Sequence, residues 1–125
     1  MIEAYFRQIE ALITSSGIIT SSTITYDKRS SYVGFIRGST YFLDGSELHF
    51  REFVNIQRHV ERYMYVYHYQ RADGTLIFRY DNTRHFPDLP NFPHHKHEED
   101  ETSVVPTTEP DLQTILKEIR GIIVT

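Results

Sequence analysis

Tyr5, Phe6, Ile9, Leu12 and Ile13 recur on one side of a 3.6-residue period, while Glu3, Arg7 and Glu10 fall elsewhere. This pattern predicts an amphipathic helix over 1–15, stopped near Gly17. The period then changes to two. Ile24 and Tyr26 alternate with Thr23 and Thr25, and a second strand runs over about 31–37 until Gly38-Ser39 interrupts it. Asp44-Gly45 lies between two apolar-patterned arms and predicts a hairpin through a type I′ turn. On its second arm Leu48, Phe50 and Glu52 face one way, and Glu47, His49, Arg51 and Phe53 the other. A connection over 55–58 leads to the clearest strand, 59–70, where Tyr63, Tyr65, Tyr67 and Tyr69 share one face by strict alternation. Ala72-Asp73-Gly74 turns the chain back through Thr75–Tyr80. Beyond it lie a histidine- and proline-rich loop at 79–97 and an acidic connector at 98–107. A final helix is expected over 108–121, with Thr108 as N-cap, Leu112, Ile115, Leu116 and Ile119 on one face, and Gly121 as stop. The expectation is one α+β domain over 1–125. A curved antiparallel hairpin meander of about five to six strands, at about 18–82, is flanked by the N-terminal and C-terminal helices.

Composition narrows the chemistry. The 125 residues contain no cysteine, which removes disulfides, thiolate metal sites and a cysteine nucleophile. No apolar run approaches the roughly 18 residues of a spanning helix, and the first residues carry no signal-peptide pattern, so a cytoplasmic protein without a membrane partner is expected. The net charge of −4 weighs against a simple nucleic-acid binder, yet Glu98-Glu99-Asp100-Glu101 alone carries that much. Within 79–97 three cations face two carboxylates, and four of the seven histidines sit there too. No Gly-rich phosphate loop, Ser-His-Asp order or dinucleotide fingerprint occurs.

The runs D-G-S-E-L-H-F-R-E at 44–52, R-Y-D-N at 79–82, H-F-P at 85–87 and F-P-H-H-K-H at 92–97 resemble the TumE-type family of small prokaryotic toxin–antitoxin proteins. The resemblance covers about 30–97, and the closing P-H-H-K-H is its most specific part. Phe86 departs from the pattern, since many relatives carry a second histidine there. The resemblance implies a growth-inhibiting toxin whose partner is a cognate antitoxin, usually of the helix-turn-helix type.

The residues themselves supply what metal-free RNA cleavage requires. Attack by the 2′-hydroxyl on the adjacent phosphate needs a base, an acid and cations on the phosphate. His85, His94, His95 and His97 have the chemistry for the proton transfers, with Asp81 counted among them or orienting one of them. Arg79, Arg84 and Lys96 suit the phosphate, Glu52 is a second candidate to orient a histidine, and exposed tyrosines of the 63–69 ladder suit base stacking. RNA is the expected substrate, with no cofactor and no metal. Three competing readings remain at this level. The chain is a non-enzymatic toxin that binds its target, or a metal-binding regulatory domain using His95, His97 and either His85 or Asp81, or the loop is only a stiff packing element. His49, His59 and His68 read as cross-strand partners, and the tyrosine ladder more readily as a packed face.

Overall fold

A computed structural model describes residues 1–84 and 88–123. The order is α1 (Ile2–Thr14), β1 (Ile19–Lys28), β2 (Val33–Phe42), β3 (Glu47–Asn55), β4 (Glu61–Gln70), β5 (Leu76–Asp81), β6 (His95–Glu98), β7 (Val104–Pro106) and α2 (Leu112–Ile123). The seven strands form one antiparallel sheet in the order β1-β2-β3-β4-β5-β6-β7, so every strand pairs only with its neighbours in sequence. The expected α+β meander between two helices is present, with seven strands instead of five to six. The additional strands, β6 and β7, lie within the stretches read as loop and acidic connector. His-Lys-His-Glu has no apolar alternation to betray a strand; it is recruited because β5 offers it a ladder, Phe78 to Glu98 through Asp81 to His95.

Alternation divides the sheet into two faces. Ile36, Phe42, Leu48, Phe50, Val54, Tyr65, Tyr67, Tyr69 and Phe78 bury themselves against Ile2, Tyr5, Ile9 and Ile13 of α1 and Leu112, Ile115, Leu116 and Ile119 of α2. Burying each such side chain stabilises the fold by about 1.5–3 kcal/mol. The tyrosine ladder is therefore core at 65, 67 and 69, and only Tyr63 is exposed. α1 presses close where it crosses β2: a Cβ on Gly34 would lie 2.6 Å from the Phe6 ring. Gly38 does not interrupt β2; the strand runs on, and the missing side chain makes room for the rings of Phe50 and the methyl of Ile24.

Both β-hairpins with Asp-Gly turns use one device. Gly45 N–H donates to Phe42 O and Phe42 N–H to Ser46 O, while Gly74 N–H donates to Arg71 O and Arg71 N–H to Thr75 O. Only the glycines, at φ 86° and 89°, take the left-handed conformation. Both are thus three-residue turns with a glycine bulge, where type I′ was expected at Asp44-Gly45. α2 starts four residues later than expected. Asp111, not Thr108, caps it, accepting from Thr114 N–H at 2.8 Å, and the helix continues past Gly121 to Ile123. Pro110 keeps Glu109 out of the helix, and the reciprocal bonds between Asp111 and Thr114, with Asp111 N–H donating to Thr114 Oγ1, set the boundary. Among the described residues no helix is long and apolar enough to cross a membrane.

Candidate functional site

The face away from the helices carries the polar chemistry, in adjacent cross-strand rows. One row runs Arg37–Arg51–Val66–Asp81–His95, and the next Ser39–His49–His68–Arg79–His97. Between β2 and β5 these rows line a pocket of about 310 Å³ formed by Arg37, Ser39, His49, Arg51, His68 and Arg79, among others. Three arginines from three strands line it, and the Arg37 guanidinium lies 5.9 Å from the Phe35 ring centroid. Arg37 and Arg51 are directly opposite partners, and like charges so placed work against strand pairing. A sheet selected for stability alone has no use for that pair.

The two pocket histidines are also opposite partners, as expected of His49 and His68, whereas His59 lies in the β3–β4 connection. His49 is held from both sides. Its Nδ1 is 2.8 Å from Ser39 Oγ, and its Nε2 is 3.2 Å from Glu47 Oε1. His68 Nε2 lies 3.0 Å from Gln70 Oε1. Burial pulls the His68 pKa down, the Gln70 hydrogen bond opposes the fall, and the Arg79 charge adds to it. The result is an imidazole that stays neutral to lower pH than a free one and can accept a proton. Beside the arginines a third row brings Phe35 opposite Phe53, their rings 6.4 Å apart, and exposed Tyr63 sets its ring against Phe53 at 5.5 Å.

Next to the pocket, alternation along β6 sends His95 and His97 to this face and Lys96 to the other. His95 Nε2 lies 2.8 Å from Asp81 Oδ1, and His97 Nε2 3.7 Å from Asp81 Oδ2. All three side chains are buried. Asp81 Oδ1 also accepts from Thr83 N–H and Oγ1, while Oδ2 accepts from Arg79 Nε at 3.2 Å. Burial alone would raise the Asp81 pKa; the Thr83 hydrogen bonds, the His95 charge and Arg79 outweigh it, so the carboxyl is held below its usual range. Through that contact Asp81 fixes the angle at which Arg79 enters the pocket.

The remaining candidates lie elsewhere. Lys96 is on the helix side, 3.0 Å from Glu118 of α2 and 5.0 Å from the Tyr80 ring centroid. His94 stacks on Tyr65, which bonds its Nδ1 at 2.8 Å, also toward the helix side. Glu52 is fully buried beneath α1, accepting from the hydroxyls of Tyr5 and Tyr67 and lying 3.6 Å from Arg62 Nε. Burial, and then the Glu52 charge, hold those two hydroxyls protonated far above the ordinary range. Arg84 is exposed, its guanidinium 5.3 Å from the Phe92 ring centroid. His85 lies outside the described residues. Sequence reasoning passed over Arg37, Ser39, His49, Arg51 and His68; the one signal for them was the alternation that set His49 and Arg51 on a common face with Glu47.

The molecule is thus an α+β sheet protein with one face closed by helices and a cationic, aromatic-edged pocket on the other. The family model Toxin TumE matches residues 9–123, nearly the whole chain, and the chain belongs to that family. It is a toxin-family protein, and such a toxin implies an antitoxin partner in general. No curated protein and no solved structure matches it.

Proposed function

We propose that the protein is a ribonuclease toxin that binds RNA across the open sheet face and cleaves it in the pocket between β2 and β5. The observation that carries this reading is one pocket lined by Arg37, Arg51 and Arg79 together with His49 and His68. The guanidiniums hold the scissile phosphate and offset the charge that grows on its oxygens. That anion also relieves the repulsion between Arg37 and Arg51. His68, half-buried and so held neutral to lower pH than a free imidazole, takes the proton of the attacking 2′-hydroxyl. His49, aligned by Glu47, delivers a proton to the departing 5′-oxygen. The nucleophile belongs to the RNA, and both proton carriers belong to the pocket. Phe35, Phe53 and Tyr63 offer rings on which neighbouring bases stack, worth about 1–3 kcal/mol per base. Asp81 serves by positioning Arg79. The antitoxin, of the helix-turn-helix type expected from the resemblance, neutralises the toxin by excluding RNA from this face.

The test is cleavage of single-stranded RNA by the purified full chain, analysed for 2′,3′-cyclic phosphate ends. His49→Ala and His68→Ala should each lower the rate about 10²–10⁴-fold and abolish growth inhibition, with the fold retained. Growth inhibition that survives in the double variant would refute the ribonuclease reading and favour a toxin that acts by binding alone. His94→Ala, on the other side of the sheet, should leave cleavage intact.

A further inference from the structure

We propose that Asp81, His95 and His97 form a binding site for one divalent transition-metal ion of the zinc type. This goes beyond the ribonuclease reading, in which the pocket residues carry the reaction without a metal. The argument begins with the outer nitrogens of the two imidazoles. His95 Nδ1 is 3.0 Å from Pro93 O, and His97 Nδ1 is 3.0 Å from Glu101 O. A carbonyl oxygen only accepts, so each Nδ1 carries a proton, which leaves Nε2 as the ring nitrogen able to take up a metal ion once it carries no proton of its own. Both Nε2 atoms face one carboxylate. Two ring nitrogens turned on one carboxylate call for positive charge between them, carried by protons or by a metal ion.

A single metal ion meets that requirement at all three donors. The three ligand atoms lie within 4.8 Å of one another, and all three residues are buried. Bonds of about 2.0–2.1 Å in a tetrahedron put donors about 3.3 Å apart; the separations from Asp81 to His95 and to His97, 2.8 and 3.7 Å, bracket that value. The surroundings also match what ligating groups need. Histidines bound to metal donate their other N–H to a carbonyl or carboxylate, and ligating carboxylates are themselves hydrogen-bonded. Here the carbonyls of Pro93 and Glu101 hold the two rings, and Thr83 and Arg79 hold Asp81. Two imidazoles and one carboxylate, without thiolate, select a borderline ion such as Zn²⁺ over Ca²⁺ or Mg²⁺.

The ion's place gives it a task. Asp81 ends β5, and His95 and His97 belong to β6, a four-residue strand with no apolar side chain. The metal would clip β6 to β5, and with it the chain segments that carry Pro93 and Glu101. Because Asp81 also holds Arg79, loading the ion would fix the pocket arginine more firmly.

The experiment uses the full chain purified without a polyhistidine tag and stripped with a chelator. Zn²⁺ is titrated against a chromophoric competitor, and Co²⁺ is added separately for its visible absorption. One ion per chain is expected, together with Co²⁺ bands of four-coordinate type and a higher Tm. Asp81→Asn and His97→Gln should weaken binding at least 100-fold, while His94→Gln should not alter it. Equal affinity in the wild type and both ligand variants would overturn the proposal. If a variant fails to fold, the wild-type Co²⁺ spectrum decides, and octahedral-only or absent bands overturn it. RNA cleavage is followed in parallel. Stripped protein that cleaves but takes up no zinc sinks the metal site alone; zinc binding without cleavage sinks the ribonuclease reading alone.

Discussion

Glu52 on the helix-covered face and Arg51 on the open face are adjacent in sequence and opposite in circumstance. Glu52 is fully buried, and Tyr5, Tyr67 and Arg62 surround its carboxylate. Arg51 is exposed and faces another arginine across the strand pair. On the first face every charge has an opposite charge or a donor from the protein itself, which is what folding requires of buried groups. On the second, positive charge is left in excess, which folding does not require. The difference teaches where to look for partners: a charge that the fold has not answered is addressed to something outside it.

The comparison can be broken at several points. Glu52→Gln should act on stability most severely. It leaves Arg62 without its buried counter-charge and should cost about 3–5 kcal/mol, read by urea denaturation; a loss below 1 kcal/mol would mean that the buried network is dispensable. Gly34→Ala comes next, since the added methyl meets Phe6 and Ile2. Crowding of this kind costs about 1–3 kcal/mol, and an unchanged midpoint would show that α1 can shift aside. Arg51→Gln should go the other way in stability, neutral to slightly stabilising by about 0.5 kcal/mol. The same change should weaken RNA binding and reduce the salt slope by about 0.7. Arg51→Gln that destabilised the fold and left binding untouched would reverse the assignment of the two faces.

The smallest effect concerns pH. The fold holds the His68 pKa below the ordinary imidazole value of 6.5, so the unfolded chain binds the proton more tightly. Its contribution to stability is complete above that value and fades as pH falls through the lower, folded pKa. Cleavage that uses His68 as base should accordingly persist as pH drops through 6.5, giving way only below it. An acid limb centred above 6.5 would remove His68 from that role.

The helices, the hairpins and the buried face were legible because each is written as a period. Leu48 and Phe50 alternate with His49 and Arg51, and Leu112, Ile115, Leu116 and Ile119 recur at helical spacing. β6 was not legible, since H-K-H-E carries no apolar beat and becomes a strand only through its neighbour. Nor was the pocket. Arg37, Ser39, His49, Arg51, His68 and Arg79 come from four strands, and taken singly each looks like an ordinary residue on a wet face. Only register brings them together. The P-H-H-K-H run drew attention because its residues adjoin in sequence, and the same strand alternation then parts them, with Lys96 on one side and His95 and His97 on the other.

The pairing of each strand with its sequence neighbour has a kinetic consequence. Closing short loops costs little chain entropy, so a linear meander can zip hairpin by hairpin and fold quickly for a β-rich protein. Arg37 through Arg79 all lie within β2 to β5, so the pocket draws no lining residue from α2. α2 packs on the opposite face of the sheet, which makes the carboxy-terminal helix the clasp that closes the core while the pocket face stays open.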